Sequence, residues 1–385
     1  MKGENQDRLE KLREEIDLVD KNMMDLLKQR MKISEDIAAY KKENNIPILD
    51  MERERRKINE IAKSVPEDIS SYTRILYSLL AEMSKERQRG YNGISGRFFD
   101  MIEEALKNTE NEFPSGILAA CYGSEGTFGQ LASDRFFKMP IILYFRNYES
   151  VMSAVANGLC RYGVLPMQLG EQGSIDRIYE LIVKHNLHIV RSTRIKLDYN
   201  LAGKKNLKVE EIKIIYTTET AKRNCERFFS ELSNIRYIIC DSEAAAAKLV
   251  RQGNYSNAAA VTTSRCASIY DLSLIKESIQ ADELKEGEFI CVSKKVEIYP
   301  GSDRTSLVMT LENKPGELYK VLGKFFARDI NVRKVETRAI KNRDFETRVY
   351  IDFEISIYSH EFKELLVELD DFGREIYYLG TYLEI

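Results

Sequence analysis

The chain of 385 residues contains no tryptophan, three histidines and seven prolines. So few histidines argue against a zinc cluster. The six cysteines (Cys121, Cys160, Cys225, Cys240, Cys266, Cys291) are scattered with no C-x-x-C pair. They read as reduced thiols of a cytoplasmic protein, and neither metal nor cofactor is expected. No apolar run approaches the roughly 20 residues of a membrane span. The N-terminus, MKGENQDRLEKLREE, lacks the apolar core of a signal peptide. A formal net charge of -3 gives no basic field for nucleic acid or a membrane surface. What remains is a soluble balance, 43% hydrophobic and 31% charged, in a chain long enough for roughly two to four domains.

Glycine and proline are also missing from Leu9 to Lys42, a stretch rich in Leu, Met, Ala, Glu and Lys. The composition predicts one helix of about 50 Å. Ile16, Met23 and Ile37, with Leu27 between, form a bundle seam. Arg30, Ser34 and Lys41 lie on that seam. A cation there is costly unless an anion meets it. Arg30 and Lys41 are eleven residues apart, which returns them to within about 20° of one face. Their side chains can converge on one anion. Arg13 is about 25 Å before Arg30 along the axis. It is either a surface arginine or part of a site on a partner chain.

A second helix should follow Asp50, a good N-cap, over MERERRKINEIAKS. Pro66 interrupts, and a third is expected over Glu67 to Gln88, with Ile75, Leu79 and Met83 facing inward. Ser84 and Gln88 share a face of it. Three helices of such unequal length bury the long one poorly, which points to an intertwined dimer.

This segment resembles the all-helical chorismate mutases, specifically the mutase domain of bifunctional chorismate mutase–prephenate dehydratases. The resemblance is carried by Arg13 in LREEID, Arg30 in LLKQR, Lys41 in AAYKK, Asp50, Arg53 and Glu54 in DMERER, and Ser84 and Gln88 in EMSKERQ. It implies that Arg13 crosses into a partner's site, and that Arg13, Arg30 and Arg53 hold the two carboxylates of chorismate. It further implies that Lys41 and Gln88 bind the ether oxygen and Glu54 the ring hydroxyl, with Asp50 and Ser84 in support. These residue types suit an intramolecular rearrangement, which needs positioning and charge stabilisation rather than a nucleophile. The plain alternative is a cation-rich coiled coil used only to dimerise.

Residues 91–115 read as a linker with one short helical run. From Ile117 short apolar strands alternate with helices, the pattern of an α/β domain with mainly parallel sheets and a ligand cleft. YGSEGTF, YESVMSAVANGLCRYGVLP, GSIDRIYELIVKHNLHIV, AAAVTTSRCASIYDL and FICVSKK resemble the prephenate dehydratase framework, two lobes like a periplasmic binding protein. The functional motifs of that family are altered. Met167, Gln168, Leu169 and Gly170 stand where Ile-Glu-Asn-Ser is usual. Thr217, Thr218, Glu219 and Thr220 replace Ser-His-Pro-Gln, and Ser242, Glu243, Ala244 replace Ser-Thr-Ala. Gly287, Glu288 and Phe289 stand at the Thr-Arg-Phe signature. Glu288 is expected to repel a dianionic substrate, and Gly287 lacks the threonine hydroxyl. The expectation is a domain that keeps its fold and loses the dehydratase reaction.

From Pro300 the order strand, helix, strand, strand, helix, strand is ferredoxin-like and resembles the ACT regulatory domain. Asn313-Lys314-Pro315-Gly316, with Leu318 after it, matches the effector loop of that family. Glu336, Thr337 and Arg338 stand where Glu-Ser-Arg is usual. These are candidate effector-binding residues for an amino acid such as phenylalanine.

The whole reads as a multidomain chain. It has an all-α mutase domain (1–90), the linker, an α/β two-lobed domain (116–295) and an α+β ACT domain (300–385). The expected protein is a homodimer or dimer of dimers that turns chorismate into prephenate. Its rivals are a fully bifunctional enzyme with a rebuilt dehydratase site and a non-catalytic binding protein.

Overall fold

A computed structural model describes residues 2–44, 46, 51–90, 97–169, 175–281, 286–340, 343, 345–372 and 375–385. Asn45, Pro47, Asp50, Gly170 and residues 91–96 of the expected linker lie outside the described residues. The chain divides into two compact units, Met1–Ser95 and Gly96–Ile385.

The first unit is three helices: α1 (Lys2–Glu43), α2 (Met51–Lys63) and α3 (Glu67–Gly90). Glu67 and Asp68 occupy the first turn of α3, where the helix dipole favours acidic side chains. Helix α3 packs along both α1 and α2. The expected inward faces are only partly buried within this chain. Met83 is half-buried, but Ile75 and Leu79 are exposed, as are Ile16, Met23 and Ile37. Two short helices do not cover one of 42 residues.

The second unit opens with α4 (Arg97–Asn108), then β1 (Leu118–Tyr122), α5 (Phe128–Phe136), β2 (Ile141–Phe145), α6 (Tyr148–Ala156), β3 (Tyr162–Gln168), α7 (Ile175–His185) and β4 (His188–Lys196). The chain crosses to a second lobe, with β5 (Asn200–Gly203), β6 (Ile214–Thr217), α8 (Glu219–Asn224), α9 (Glu226–Ser230), β7 (Arg236–Ile239), α10 (Glu243–Gln252), β8 (Ala258–Thr262), α11 (Ser264–Ile269) and β9 (Ser273–Lys276). It returns through β10 (Glu286–Ser293). Then follow β11 (Arg304–Glu312), α12 (Glu317–Phe326), β12 (Asn331–Ala339), β13 (Glu346–Glu354), α13 (His360–Phe372) and β14 (Ile376–Glu384), the expected βαββαβ order.

The strands form two sheets, in the orders β12-β13-β11-β14-β4-β10-β3-β1-β2 and β7-β6-β8-β5-β9. Both were expected to be mainly parallel, and both are mixed. The cause is the double crossing: β10, returning to the first lobe, runs antiparallel to β3 and β4, and β5 runs antiparallel to β8 and β9. The apolar runs of β3 and β8 are buried throughout, as central strands covered on both faces must be.

The C-terminal βαββαβ is continuous with the first lobe rather than a separate bead. Strand β14 pairs with β4, and Gly380 permits the approach. Its φ is +143°, and a Cβ there would lie 2.1 Å from the Ile189 carbonyl oxygen. Val308, Tyr350, Leu379 and Tyr382 share a core with Leu165, Ile178 and Tyr179. The Tyr179 and Tyr350 rings stack at 4.6 Å.

Residues 97–108 of the expected linker belong to this unit. Phe98, Ile102 and Ala105 of α4 are buried against the C-terminal sheet and Leu365, Leu366 and Leu369 of α13. Their spacing gives α4 a strong apolar face, which a linker reading overlooked. All six cysteines are free thiols. Among the described residues no helix is long and apolar enough to cross a membrane.

If α4 is core rather than tether, Phe98→Ala should destabilise the second unit by about 3–5 kcal/mol in denaturant unfolding. A change within about 0.5 kcal/mol would return α4 to the linker.

Candidate functional site

In the first unit the structure brings Arg30 and Ser84 together. The half-buried Arg30 guanidinium donates to the Leu80 carbonyl at 2.6 Å and to the Ser84 hydroxyl. Ser84 donates to the same carbonyl at 2.9 Å, and Ser34 donates to the Arg30 carbonyl at 3.0 Å. One turn beyond Ser84 lies Gln88, which is buried, with an amide oxygen that meets no partner. A buried polar atom left without a partner costs about 1–3 kcal/mol unless something arrives to meet it. Lys41 is half-buried on α1, while Arg13 and Arg53 are exposed.

Glu54, on α2, reaches α3. Its carboxylate pairs with Lys85 at 2.8 Å, and Lys85 also meets Glu82 at 2.9 Å. Burial pulls the Lys85 pKa down, but Glu54 and Glu82 outweigh it and the net shift is upward. Lys85 was missed in the sequence. The signal was its place between Ser84 and Gln88, three residues before the latter and so beside it on the helix.

In the second unit the strand ends of the two lobes meet. Gln168 ends β3 and pairs with Glu288 on β10; the half-buried Leu169 follows it. Thr217 ends β6, fully buried, and donates to the Thr218 carbonyl at 3.2 Å. Thr218 caps α8 and also donates to the Glu243 carboxylate at 3.4 Å. Glu243 begins α10, and burial raises its pKa. From the other lobe Tyr122 and Tyr148 approach with ring centroids 4.4 Å apart. Thr263 spans the lobes, donating to the Gly126 carbonyl at 2.6 Å.

Glu288 departs from its expected role. Its carboxylate does not stand as an unpaired anion against a ligand. It pairs at 2.9 Å with Arg304, a buried arginine at the start of β11, which also meets Glu384 at 2.9 Å and Asp352 at 3.4 Å. A cation from the C-terminal sheet has come to the strand position where the resembled family carries its arginine. The Gly287 position is filled by neighbours. A Cβ there would lie 2.7 Å from Leu169 Cδ2, 2.9 Å from Leu197 Cδ2 and 3.2 Å from the Gln168 carbonyl oxygen. Phe289 is buried in the core.

In the C-terminal sheet, Asn313 follows β11 and its N–H donates to the Phe345 carbonyl at 2.8 Å. Gly316, left-handed at φ +89°, caps α12, where only glycine is at ease; Pro315 precedes it, and Leu318 packs on the core. Glu336, Thr337 and Arg338 lie on β12, the edge strand, and Glu336 pairs with Arg338. The register places Glu312 opposite Glu346 and Ala339 opposite Thr347, so the loop and these strand residues reach the same end of the sheet.

Comparison with known proteins gives matching results for both units. Residues 12–89 match the family "Chorismate mutase type II" and residues 119–297 the family "Prephenate dehydratase". The chain is 30% identical over 285 residues to arogenate dehydratase/prephenate dehydratase 1 of Arabidopsis thaliana, covering 70% of this chain and 72% of that protein. It is 25% identical over 384 residues to the bifunctional chorismate mutase/prephenate dehydratase of Buchnera aphidicola subsp. Schizaphis graminum, covering 96% and 95%. The solved prephenate dehydratase of Arthrobacter aurescens, in complex with L-Phe, shares the fold of the second unit. Its TM-score is 0.62 at 22% identity, over 69% of this chain and 90% of that one.

The cluster around Arg304 makes a stability prediction. Arg304→Met leaves Glu288 and Asp352 without their cation, and Glu384 with Arg194 alone, and should cost about 3–5 kcal/mol in denaturant unfolding. Adding Glu288→Gln should return part of that loss; a double variant no more stable than the single would break the pairing.

Proposed function

The chain belongs to the bifunctional chorismate mutase–prephenate dehydratase family, and from that premise we propose that its catalysis resides in the N-terminal helices, while its two-lobed unit no longer performs the dehydratase step. The N-terminal unit is a chorismate mutase, an isomerase that forms prephenate on the way to aromatic amino acids. The observation that carries the site assignment is the juxtaposition of Arg30 and Ser84 beside a buried Gln88 whose amide oxygen has no partner.

The rearrangement breaks a C–O bond and forms a C–C bond within one molecule. The enzyme's task is to fold a flexible dianion and to stabilise charge growing on the ether oxygen. Arg30 keeps guanidinium donors beyond those given to Leu80 and Ser84, enough to grip a carboxylate. Arg53 takes part in holding the dianion. Lys41 and Gln88 donate to the ether oxygen. Glu54, held by Lys85, retains lone pairs for the ring hydroxyl. Asp50 supports this set from outside the described residues.

The site needs a second chain. Leu9, Leu12, Ile16, Val19 and Met23 are each about half exposed on α1, an apolar stripe longer than a lone surface helix presents. A partner's α1 laid along it forms a dimer, and Arg13 of that partner completes the site. The homodimer, or a dimer of dimers, is therefore part of the proposal.

In the two-lobed unit, loss of the substrate's hydroxyl calls for a proton donor. Gly287 offers none, and Leu169 and Leu197 crowd its place. The C-terminal βαββαβ is read as an ACT module. Asn313, Pro315, Gly316 and Leu318, with Glu336, Thr337 and Arg338, are its candidate contacts to an amino-acid effector, phenylalanine first among them.

Lys41→Ala and Gln88→Ala should each lower chorismate turnover by about 10²–10³ or more while helicity is unchanged. Turnover equal to wild type would remove these residues from the site. The purified protein should form no phenylpyruvate from prephenate, and Gly287→Thr with Glu288→Arg should not restore it. Phenylpyruvate made by either protein at a rate above the uncatalysed reaction would refute the silent-cleft reading.

A further inference from the structure

Packing does little to fix the α2 half of the mutase site. Helix α2 buries Ala62 near its C-terminal end, where the Ser70 hydroxyl also donates to the Ala62 carbonyl at 2.7 Å. The opposite end carries Arg53 and Glu54, and no described side chain from Arg53 to Ile58 is buried. Apolar contact therefore sets only loosely how far this end lies from α3, which carries Ser84 and Gln88.

Lys85 of α3 ties that end down. Its ammonium lies 3.0 Å from Oε1 and 2.8 Å from Oε2 of Glu54, and 2.9 Å from Oε1 of Glu82. An ammonium has three protons, and these three oxygens take them, leaving none for a substrate. A carboxylate held at both oxygens cannot turn about its terminal bond, yet each oxygen keeps a further lone pair. Glu82, one turn back on α3, restrains the ammonium in turn. The side chains are 15% (Lys85), 23% (Glu54) and 18% (Glu82) exposed, so water screens these contacts less than it does at an open surface. Burial pulls the Lys85 pKa down, but the two carboxylates raise it overall, and the group stays charged.

We propose that Lys85 is a positioning residue for the chorismate rearrangement, acting through Glu54: it fixes the direction of that carboxylate and the spacing between the α2 and α3 halves of the site. This rests on the assignment of Glu54 to the ring hydroxyl of the substrate and deepens it. A reaction that depends on holding one conformer of a flexible molecule is sensitive to such a fixture.

The test is steady-state chorismate kinetics on the full-length protein with Lys85→Met, Lys85→Arg, Glu54→Gln and the double variant Lys85→Met with Glu54→Gln. Circular dichroism on each sample monitors helicity. Lys85→Met should lower kcat/KM by about tenfold or more, with the loss mainly in kcat, because the substrate still binds but is misplaced. Lys85→Arg keeps the charge and the donors and should recover most of that loss. In the Glu54→Gln background Lys85→Met should add less than about twofold, since two groups acting as one unit do not add. A full tenfold loss there, a loss carried by KM alone, or Lys85→Met turnover equal to wild type overturns the proposal. Lys85→Met leaves two carboxylates without this cation; if it loses helicity, Lys85→Met with Glu82→Gln is measured in its place. Loss of helicity in both makes Lys85 a structural residue and likewise overturns the proposal. Glu54→Gln separates the two readings. Turnover equal to wild type in that variant removes Glu54 from the site and this proposal with it. Impaired Glu54→Gln beside an unimpaired Lys85→Met defeats this proposal alone.

Discussion

Arg304 is the charge on which the second unit closes. It is buried, and it draws carboxylates from three other strands: Glu288 on β10, Asp352 on β13 and Glu384 on β14. Without it Glu288 and Asp352 would lie in a poorly solvated junction with no cation, and Glu384 would keep only Arg194. With it the C-terminal sheet becomes an extension of the first lobe's sheet, completed by the short β14–β4 pairing and the missing side chain at Gly380. The Ser306 and Tyr382 hydroxyls supply the remaining hydrogen bonds, Ser306 donating to Asp352 at 2.6 Å and lying 2.7 Å from the Tyr382 hydroxyl. The buried Arg304 Nε is left without a hydrogen-bond partner, a cost that its ion pairs offset.

The helical unit poses the same problem with a different solution. Arg30 and Lys41 lie on a packing seam, and the chain itself supplies only neutral oxygens to Arg30, from Leu80 and Ser84. Glu54 of α2 and Glu82 of α3 are both committed to Lys85. In the second unit the fold answers a buried cation with carboxylates; in the first it answers Arg30 with the neutral oxygens of Leu80 and Ser84.

Much of this was legible in the sequence because periodicity and punctuation are local. The absence of Gly and Pro fixed α1, Asn313-Lys314-Pro315-Gly316 marked the turn before α12, and the apolar runs at 141–145 and 258–262 became strands. What escaped were features set by residues distant in the chain. Glu288 and Arg304 are sixteen positions apart on different strands, so no local pattern declares their pairing. Strand direction depended on the double crossing between lobes, which periodicity does not encode. Helices α8 and α9 are separate because the backbone leaves the helical region at Cys225 between them. Helix α4 was passed over because its neighbours suggested a tether, although Phe98, Ile102 and Ala105 share one face.

Three adjacent residues on β10 are held by three different constraints. Phe289 is buried in the core with Ile290, Cys291 and Val292, and any polar replacement would have to leave a packed interior. Its framework role and its identity are bound together. Gly287 lies near the start of the strand, where Leu169 and Leu197 fill the space that a side chain would take. Glu288 lies between them and faces the junction, where its charge is tolerable because Arg304 opposes it. The start of the strand is thus set by local crowding and charge, while its middle is set by core packing.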